Sequence, residues 1–253
     1  MIIDQFTRTN LVLGSEGMHQ LKNTTVAVFG LGGVGSYAAE ALVRAGIGKL
    51  IIVDGDTVCI SNVNRQLPAL HSTIGKPKTE VVAARLLDIN PALQLTVHFD
   101  WFSETNYEKF FLEKIDFIID AIDSVKAKTF LIETAVGKGI KIFSSMGTGN
   151  KLDASKLTVT DISKTNTCPL AKVIRKNLKA SGIEHLTVVY STELPKTPDF
   201  VAYTGCVKQD SCPTWNPESC LKKKRPPASV SFVPSVAGLL LAQLVVREVC
   251  GIV

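Results

Sequence analysis

The sequence predicts an α/β fold, a doubly wound and mostly parallel sheet with helices on both faces, and three observations carry that prediction. Short apolar runs alternate with helical patterns, as a parallel sheet with crossover helices requires. A glycine turn, Gly30-Leu31-Gly32-Gly33-Val34-Gly35, joins the first run to the first helix. Asp54 closes the second run, so residues from Val26 to Asp54 have the layout of a Rossmann-like nucleotide-binding unit.

Strands are expected at Thr25 to Gly30, Lys49 to Asp54, Gln94 to Phe99, Asp116 to Ala121 and Ile140 to Ser145. Helices are expected at about Gly33 to Ala45, Lys76 to Ile89, Thr105 to Glu113 and Ser124 to Gly137, with Asn90-Pro91 ending the second of them. In such a fold the site lies at the C-terminal ends of the strands. From Gly147 the texture changes. A further strand, Leu157 to Asp161, precedes a helical stretch near Pro169 to Ala180, and a segment rich in Pro, Lys and Cys runs from Glu193 to Ala228. The apolar stretch Phe232 to Val246, with Arg247 and Glu248 directly after it, falls short of the roughly 18 residues of a membrane span. A buried helix packed on the sheet is expected instead. The chain thus reads as one domain over residues 1–253, with a nucleotide-binding core at 20–150 and a C-terminal strand, loop and helix region at 151–253.

Hydrophobic residues at 45% and charged residues at 20% describe a soluble core-forming protein. A net charge of +5 and a pI near 8.8 permit a polyanionic partner without requiring one. Residues 1–20 lack a charged-then-apolar signal pattern, being interrupted by Asp4, Arg8 and Glu16, so a cytoplasmic protein is expected. The six cysteines include no C-x-x-C pair, the usual unit of a structural zinc site. In a reducing cytosol most are expected as free thiols, although the closeness of Cys206, Cys212 and Cys220 leaves metal or a disulfide open.

The glycine spacing has a mechanical basis. The first glycine allows the tight turn, the second lets backbone approach a phosphate, and the third lets the helix lie against the strand. The helix N-terminus then faces an anion with unpaired N–H groups. Asp54, about 20 residues beyond the last glycine, is placed to hold ribose hydroxyls. These features alone do not separate NAD, FAD and ATP.

The following segment is more specific: Asp54-Gly55-Asp56, Asn62-Val63-Asn64-Arg65-Gln66 and Gly75-Lys76-Pro77-Lys78. A dinucleotide has no evident need of cations downstream of the ribose acid, whereas splitting ATP between its α and β phosphates develops charge that preorganised cations stabilise. Arg65 and Lys78 suit that work. Asp123, in Asp120-Ala121-Ile122-Asp123 at the end of the fourth strand, could hold magnesium, a hard cation that takes oxygen ligands; Asp120 belongs to the strand end itself. The alternative for Arg65 is a structural salt bridge to Asp54 or Asp56. Farther on, Lys172, Arg175, Lys176 and Lys179 fall at spacings that put three or four cations on one side of the helix, and Lys222-Lys223-Lys224-Arg225 forms a cationic run. Each is either a solvated face or a contact for an RNA backbone or phosphate.

These motifs together resemble the adenylating domain shared by ubiquitin-activating enzymes and the bacterial adenylyltransferases of molybdopterin and thiamine synthesis. The resemblance implies ATP and magnesium, with Gly30, Gly32, Gly33, Gly35, Asp54, Asp56, Asn62, Arg65, Gln66, Lys78 and Asp123 around the nucleotide. It casts Asp54 as ribose ligand, Arg65 and Lys78 as phosphate ligands and Asp123 as the magnesium-binding acid. Arg8, in Phe6-Thr7-Arg8-Thr9, is similar to an N-terminal arginine that reaches the ATP of the other subunit, which implies a homodimer. Members that activate sulfur carriers typically hold zinc in paired C-x-x-C motifs, which this chain lacks.

Gly46-Ile47-Gly48, Gln66-Leu67-Pro68-Ala69-Leu70-His71-Ser72, Asp120 to Val125 and the segment from Thr160 to Leu170 resemble the tRNA threonylcarbamoyladenosine dehydratase family. That likeness implies a ligase-type enzyme that adenylates the threonine carboxylate of the modified nucleoside, and then closes an oxazolone ring with release of AMP and pyrophosphate. tRNA is the implied partner, and residues 151–253 would face it. Activation of a Gly-Gly C-terminus on a ubiquitin-like sulfur carrier, and nucleotide binding without catalysis, are the alternatives. Some members of the family carry a cysteine before the C-terminal helix, where this chain reads Pro226-Pro227-Ala228-Ser229. The role of a thiol therefore stays open among Cys168, Cys206, Cys212 and Cys220, as do a sulfur-relay protein partner and peripheral membrane association.

Overall fold

Every residue of β1 (Thr25–Phe29) is buried, as a central parallel strand covered on both faces requires. The computed structural model describes residues 3–201 and 226–252. Around β1 lie β2 (Lys49–Val53), β3 (Gln94–His98), β4 (Phe117–Asp120), β5 (Lys141–Ser145), β6 (Leu157–Asp161) and β7 (Thr187–Ser191), in one sheet ordered β3-β2-β1-β4-β5-β7-β6. Neighbouring strands are parallel except β6 and β7, which run antiparallel. The order reverses between β1 and β4. Their C-terminal ends therefore open the crevice in which doubly wound sheets bind ligands.

Among the described residues the helices are α1 (Thr7–Asn23), α2 (Gly35–Ala45), α3 (Lys78–Ile89), α4 (Val125–Gly137), α5 (Pro169–Ala180) and α6 (Phe232–Val249). Alternate residues of β1 feed opposite cores, as the two-residue period of a strand dictates. Val26 and Val28 pack with Leu42 and Val43 of α2, Val82 and Leu86 of α3, and Leu241 and Val245 of α6. Ala27 and Phe29 pack with Leu131 and Ile132 of α4 and with Ile174 and Leu178 of α5. The doubly wound fold and all six expected strands are present.

Several expectations need correction. The helix expected over Thr105 to Glu113 is only a 3-10 turn, Tyr107–Phe111. Its conformation serves to bury Phe110 beside Phe29 and Phe102, an aromatic group whose Phe29 and Phe102 rings meet edge to face at 5.2 Å. Two elements were not anticipated: α1, broken by a non-helical Gly14 and burying only Gly17 and Leu21, and β7. Strand and helix ends differ by a residue or two. The cysteines at 206, 212 and 220 and the run Lys222 to Arg225 lie outside the described residues.

Helix α6 has 18 residues and a mean hydropathy of 1.6, enough by length and composition alone to cross a membrane. Here Val233, Ala237, Leu241 and Val245 are fully buried against α2 and the sheet, so the expectation of a core helix holds. Its contact with α2 is close: a Cβ at Gly238 would lie 2.2 Å from the Val34 carbonyl oxygen.

Candidate active site

A cleft of about 720 Å³ opens at the C-terminal ends of β1 and β4. Gly30 donates its N–H to the Val53 carbonyl at 2.8 Å and has φ +90, and a Cβ there would lie 2.7 Å from the Ala121 carbonyl oxygen. At Gly35 a Cβ would overlap the Gly30 carbonyl oxygen at 1.7 Å, so only glycine lets α2 start where it does. Gly33 packs against Pro234 of α6, whereas among the described residues Gly32 has only the Gln66 amide nitrogen nearby, 3.6 Å from where a Cβ would stand. Gly32 thus marks the open floor of the turn.

Asp54 is buried, and its two oxygens accept the N–H groups of Leu31 at 2.6 Å and Asp56 at 2.7 Å. The acid therefore fixes the glycine turn as well as lining the cleft. Burial pushes its carboxyl above the ordinary range, against the pull of Lys78. Lys78, the first residue of α3, directs Nζ to Asp56 Oδ2 at 2.7 Å while its own side chain is 5% exposed. Arg65 Nη1 donates to the Ser61 carbonyl at 2.9 Å and to Asn64 Oδ1 at 2.8 Å. Burial lowers its pKa and nearby Asp123 raises it. No Arg65 bridge to Asp54 or Asp56 forms among the described residues; Lys78 takes Asp56, and Arg65 lies within the electrostatic reach of Asp123.

Asn62 lines the cleft but spends its Oδ1 on the Cys59 N–H at 3.0 Å, shaping the turn that carries Arg65. Gln66 is buried with Oε1 lacking a hydrogen-bond partner among the described residues, an acceptor that a polar ligand or water would satisfy. Asp120 stays in the strand end, as expected. It forms a fully buried ion pair with Lys128 at 2.7 Å and accepts the Ile122 N–H at 3.1 Å, which sets the bend presenting Asp123.

Arg8 stands elsewhere. It borders a separate hollow with Tyr37, Glu40, Arg44, Arg85 and Leu239, outside the cleft of its own chain. Of the cations on α5, of which three or four were expected on one side, Lys172, Lys176 and Lys179 are exposed, while Arg175 turns inward to the Thr165 carbonyl at 2.8 Å.

Lys128, Lys151 and Trp101 were missed by sequence reasoning. Trp101 lines the cleft and covers Gly55, its ring 2.7 Å from where a Cβ would stand. The available signal was the glycine between two aspartates, which leaves room for a ring. Cys168 is buried and lines the far end of the cleft beside Gly147.

Comparison with known proteins extends these observations over the whole chain. A sequence model described as the ThiF family matches residues 6–252. A tRNA threonylcarbamoyladenosine dehydratase of Bacillus subtilis (strain 168) is 43% identical over 249 residues, covering 98% of this chain and 95% of that protein. The E. coli tRNA N6-threonylcarbamoyladenosine dehydratase TcdA in complex with ATP superposes with a TM-score of 0.83 at 29% identity, covering 99% of this chain and 98% of that one. Its complex with AMP gives 0.84 at the same identity and coverage.

Proposed function

The chain belongs to the ThiF family, and from that premise we propose that it is an ATP-dependent dehydratase acting on threonylcarbamoyladenosine in tRNA. What carries the reading is that a protein of that name is matched across both halves of the chain, the nucleotide cleft and the C-terminal region alike. ATP and AMP complexes of a second such protein support a nucleotide in the cleft. Activation of a sulfur-carrier C-terminus, or binding without catalysis, has no comparable support.

In this reading an oxygen of the threonine carboxylate attacks the α-phosphorus of ATP, the bond to the bridging oxygen breaks, and pyrophosphate leaves. Asp54 holds the ribose, and the turn from Gly30 to Gly35 with the start of α2 cradles phosphate. Asp56, Asn62 and Gln66 complete the nucleotide's surroundings. Arg65 and Lys78 stabilise charge on the departing pyrophosphate, with Lys78 exchanging Asp56 for a phosphate oxygen. The carboxylate of Asp123 fits magnesium, which when bound supplies further positive charge beside the phosphates. The carbamoyl oxygen then attacks the activated carbonyl carbon, AMP departs, and a carbamoyl N–H gives up its proton to leave an oxazolone. Because the nucleophile is already tethered, effective molarity supplies much of the rate and no side-chain nucleophile is obligatory.

Arg8 lies outside its own cleft, which favours its acting on the ATP of a second copy in a homodimer. The exposed lysines of α5 suit a tRNA backbone, residues 20–150 serve as the nucleotide core of one domain, and residues 151–253 face the tRNA. The reaction belongs in the cytoplasm, where tRNA is modified. Incubation with ATP, magnesium and threonylcarbamoyl-modified tRNA, followed by digestion to nucleosides, should reveal loss of one water's mass with release of AMP. An unchanged nucleoside would refute the reading.

A further inference from the structure

Two non-glycine residues among those described have positive φ, Asn150 at 62° and Thr167 at 52°. Such conformations cost about 1–3 kcal/mol each and persist only where the surroundings over-determine them. Each stands directly before a residue at the far end of the cleft: Asn150 before Lys151, Thr167 before Cys168. Asn150 is clamped from three sides. Its N–H donates to the Ala228 carbonyl at 2.7 Å, its Oδ1 accepts the Ala228 N–H at 2.7 Å, and its carbonyl accepts the Lys196 N–H at 2.8 Å. The loop bearing Lys151 is therefore held firmly by the segment that leads into α6.

Lys151 is 2% exposed, and burial pulls its pKa down. Its ammonium donates to the Gly147 carbonyl at 2.5 Å and forms no ion pair within 4.0 Å among the described residues. The nearby carboxylate, Glu193, is engaged otherwise, accepting the N–H groups of Leu152 at 3.1 Å and Asp153 at 2.9 Å. The other ionisable neighbour is the Cys168 thiol. A buried cation without an anionic partner is costly to maintain, and here it lines the same cleft as the phosphate-side residues.

We infer that Lys151 is the receptor for the free carboxylate of the acyl group to be activated, and so selects modified tRNA that carries one. The inference rests on the dehydratase reading. It gives the cleft two anion sites, one for the triphosphate and one for the acid that attacks it.

The test uses the full chain, tRNA bearing the threonylcarbamoyl group, and the same tRNA with its carboxylate converted to a carboxamide. Wild-type protein should bind the amide about tenfold more weakly than the acid, the scale of one lost charge-assisted hydrogen bond. Lys151→Met should raise KM for the modified tRNA by about tenfold or more while KM for ATP stays near the wild-type value. It should also bind acid and amide alike, and Lys151→Arg should restore part of the preference. Equal binding of acid and amide by the wild-type protein would overturn the inference whether or not a variant folds. So would an unchanged KM for modified tRNA in Lys151→Met. Absence of any turnover of modified tRNA by the wild-type protein would instead defeat the dehydratase reading, a separate result from the comparison of acid and amide.

Discussion

Two buried lysines serve neighbouring carbonyls just past β5, Lys128 that of Ser145 and Lys151 that of Gly147, and their surroundings could hardly differ more. Lys128, beneath the floor, meets Asp120 at 2.7 Å, the Ser145 carbonyl at 3.0 Å and Ser144 Oγ at 3.3 Å. Lys151, which lines the cleft, has a single carbonyl as partner among the described residues. All three protons of the first ammonium are spoken for by the protein, whereas the second keeps capacity in reserve. A completed ion pair builds structure, and an incomplete one waits for a ligand.

Stability measurements would break that distinction most directly. Lys128→Met should lower unfolding free energy by about 3–5 kcal/mol in urea titrations, because Asp120 would be left charged and buried. Adding Asp120→Asn should recover roughly half of the loss, since removing both charges costs far less than orphaning one. A small effect of Lys128→Met alone would show that the pair is dispensable.

The phosphate side comes next. Arg65→Ala should cut AMP formation by about 100- to 1,000-fold with the melting temperature little changed, since removal of one preorganised donor at a site of developing charge has that scale. Unchanged turnover would return Arg65 to holding its own loop through Ser61 and Asn64.

Lys151→Met should shift unfolding free energy by no more than about 1 kcal/mol, because only a bond to a neutral carbonyl is lost. A loss as large as that of Lys128→Met would abolish the contrast between the two lysines.

The smallest effect concerns Glu40, which pairs with Arg85 at 2.5 Å and Arg44 at 2.8 Å beside Arg8. Burial alone would raise its carboxyl, but the two guanidinium groups outweigh burial and hold it below its ordinary value of 4.5. The folded pKa is depressed, so the stabilisation is present above the unfolded pKa and disappears as pH falls through the folded one. Glu40→Gln should therefore cost about 0.5–1 kcal/mol at neutral pH. The same comparison repeated in acid, well below the ordinary carboxylate range, should find no difference.

Much of the fold was legible because its central strands are unbroken apolar runs with helices between them. Val26 to Phe29 and Ile118 to Asp120 are buried on both faces and read as such. β7 was missed although it follows α5 as strand follows helix elsewhere, because its five residues are a short apolar run leading almost at once into the segment rich in Pro, Lys and Cys. α1 was missed because Gly14 interrupts it and two buried positions create no helical period. At the site, Asp54, Arg65 and Lys78 were legible through their spacing, and the structure brings all three into one cleft. Lys151 was not: a lysine after Gly147-Thr148-Gly149-Asn150 looks like any solvated loop residue. The loop that carries it is held at Asn150 by Ala228 and Lys196, tens of residues away, and no local pattern records such contacts.

Helix α6 ties this architecture to the order in which the polypeptide is made. Residues 20–150 hold the glycine turn, Asp54, Arg65 and Lys78, yet the face of the sheet formed by Val26, Val28 and Phe143 also packs on Leu241, Ala242 and Val245. Pro234 also backs the glycine turn at Gly33, 3.2 Å from where a Cβ would stand. A nascent chain emerging at about 5–20 residues per second would hold a nearly complete cradle for several seconds with one side of the sheet covered only in part, by α2 and α3. That interval is when a chaperone would engage it, and ATP binding should appear only after α6 has left the ribosome.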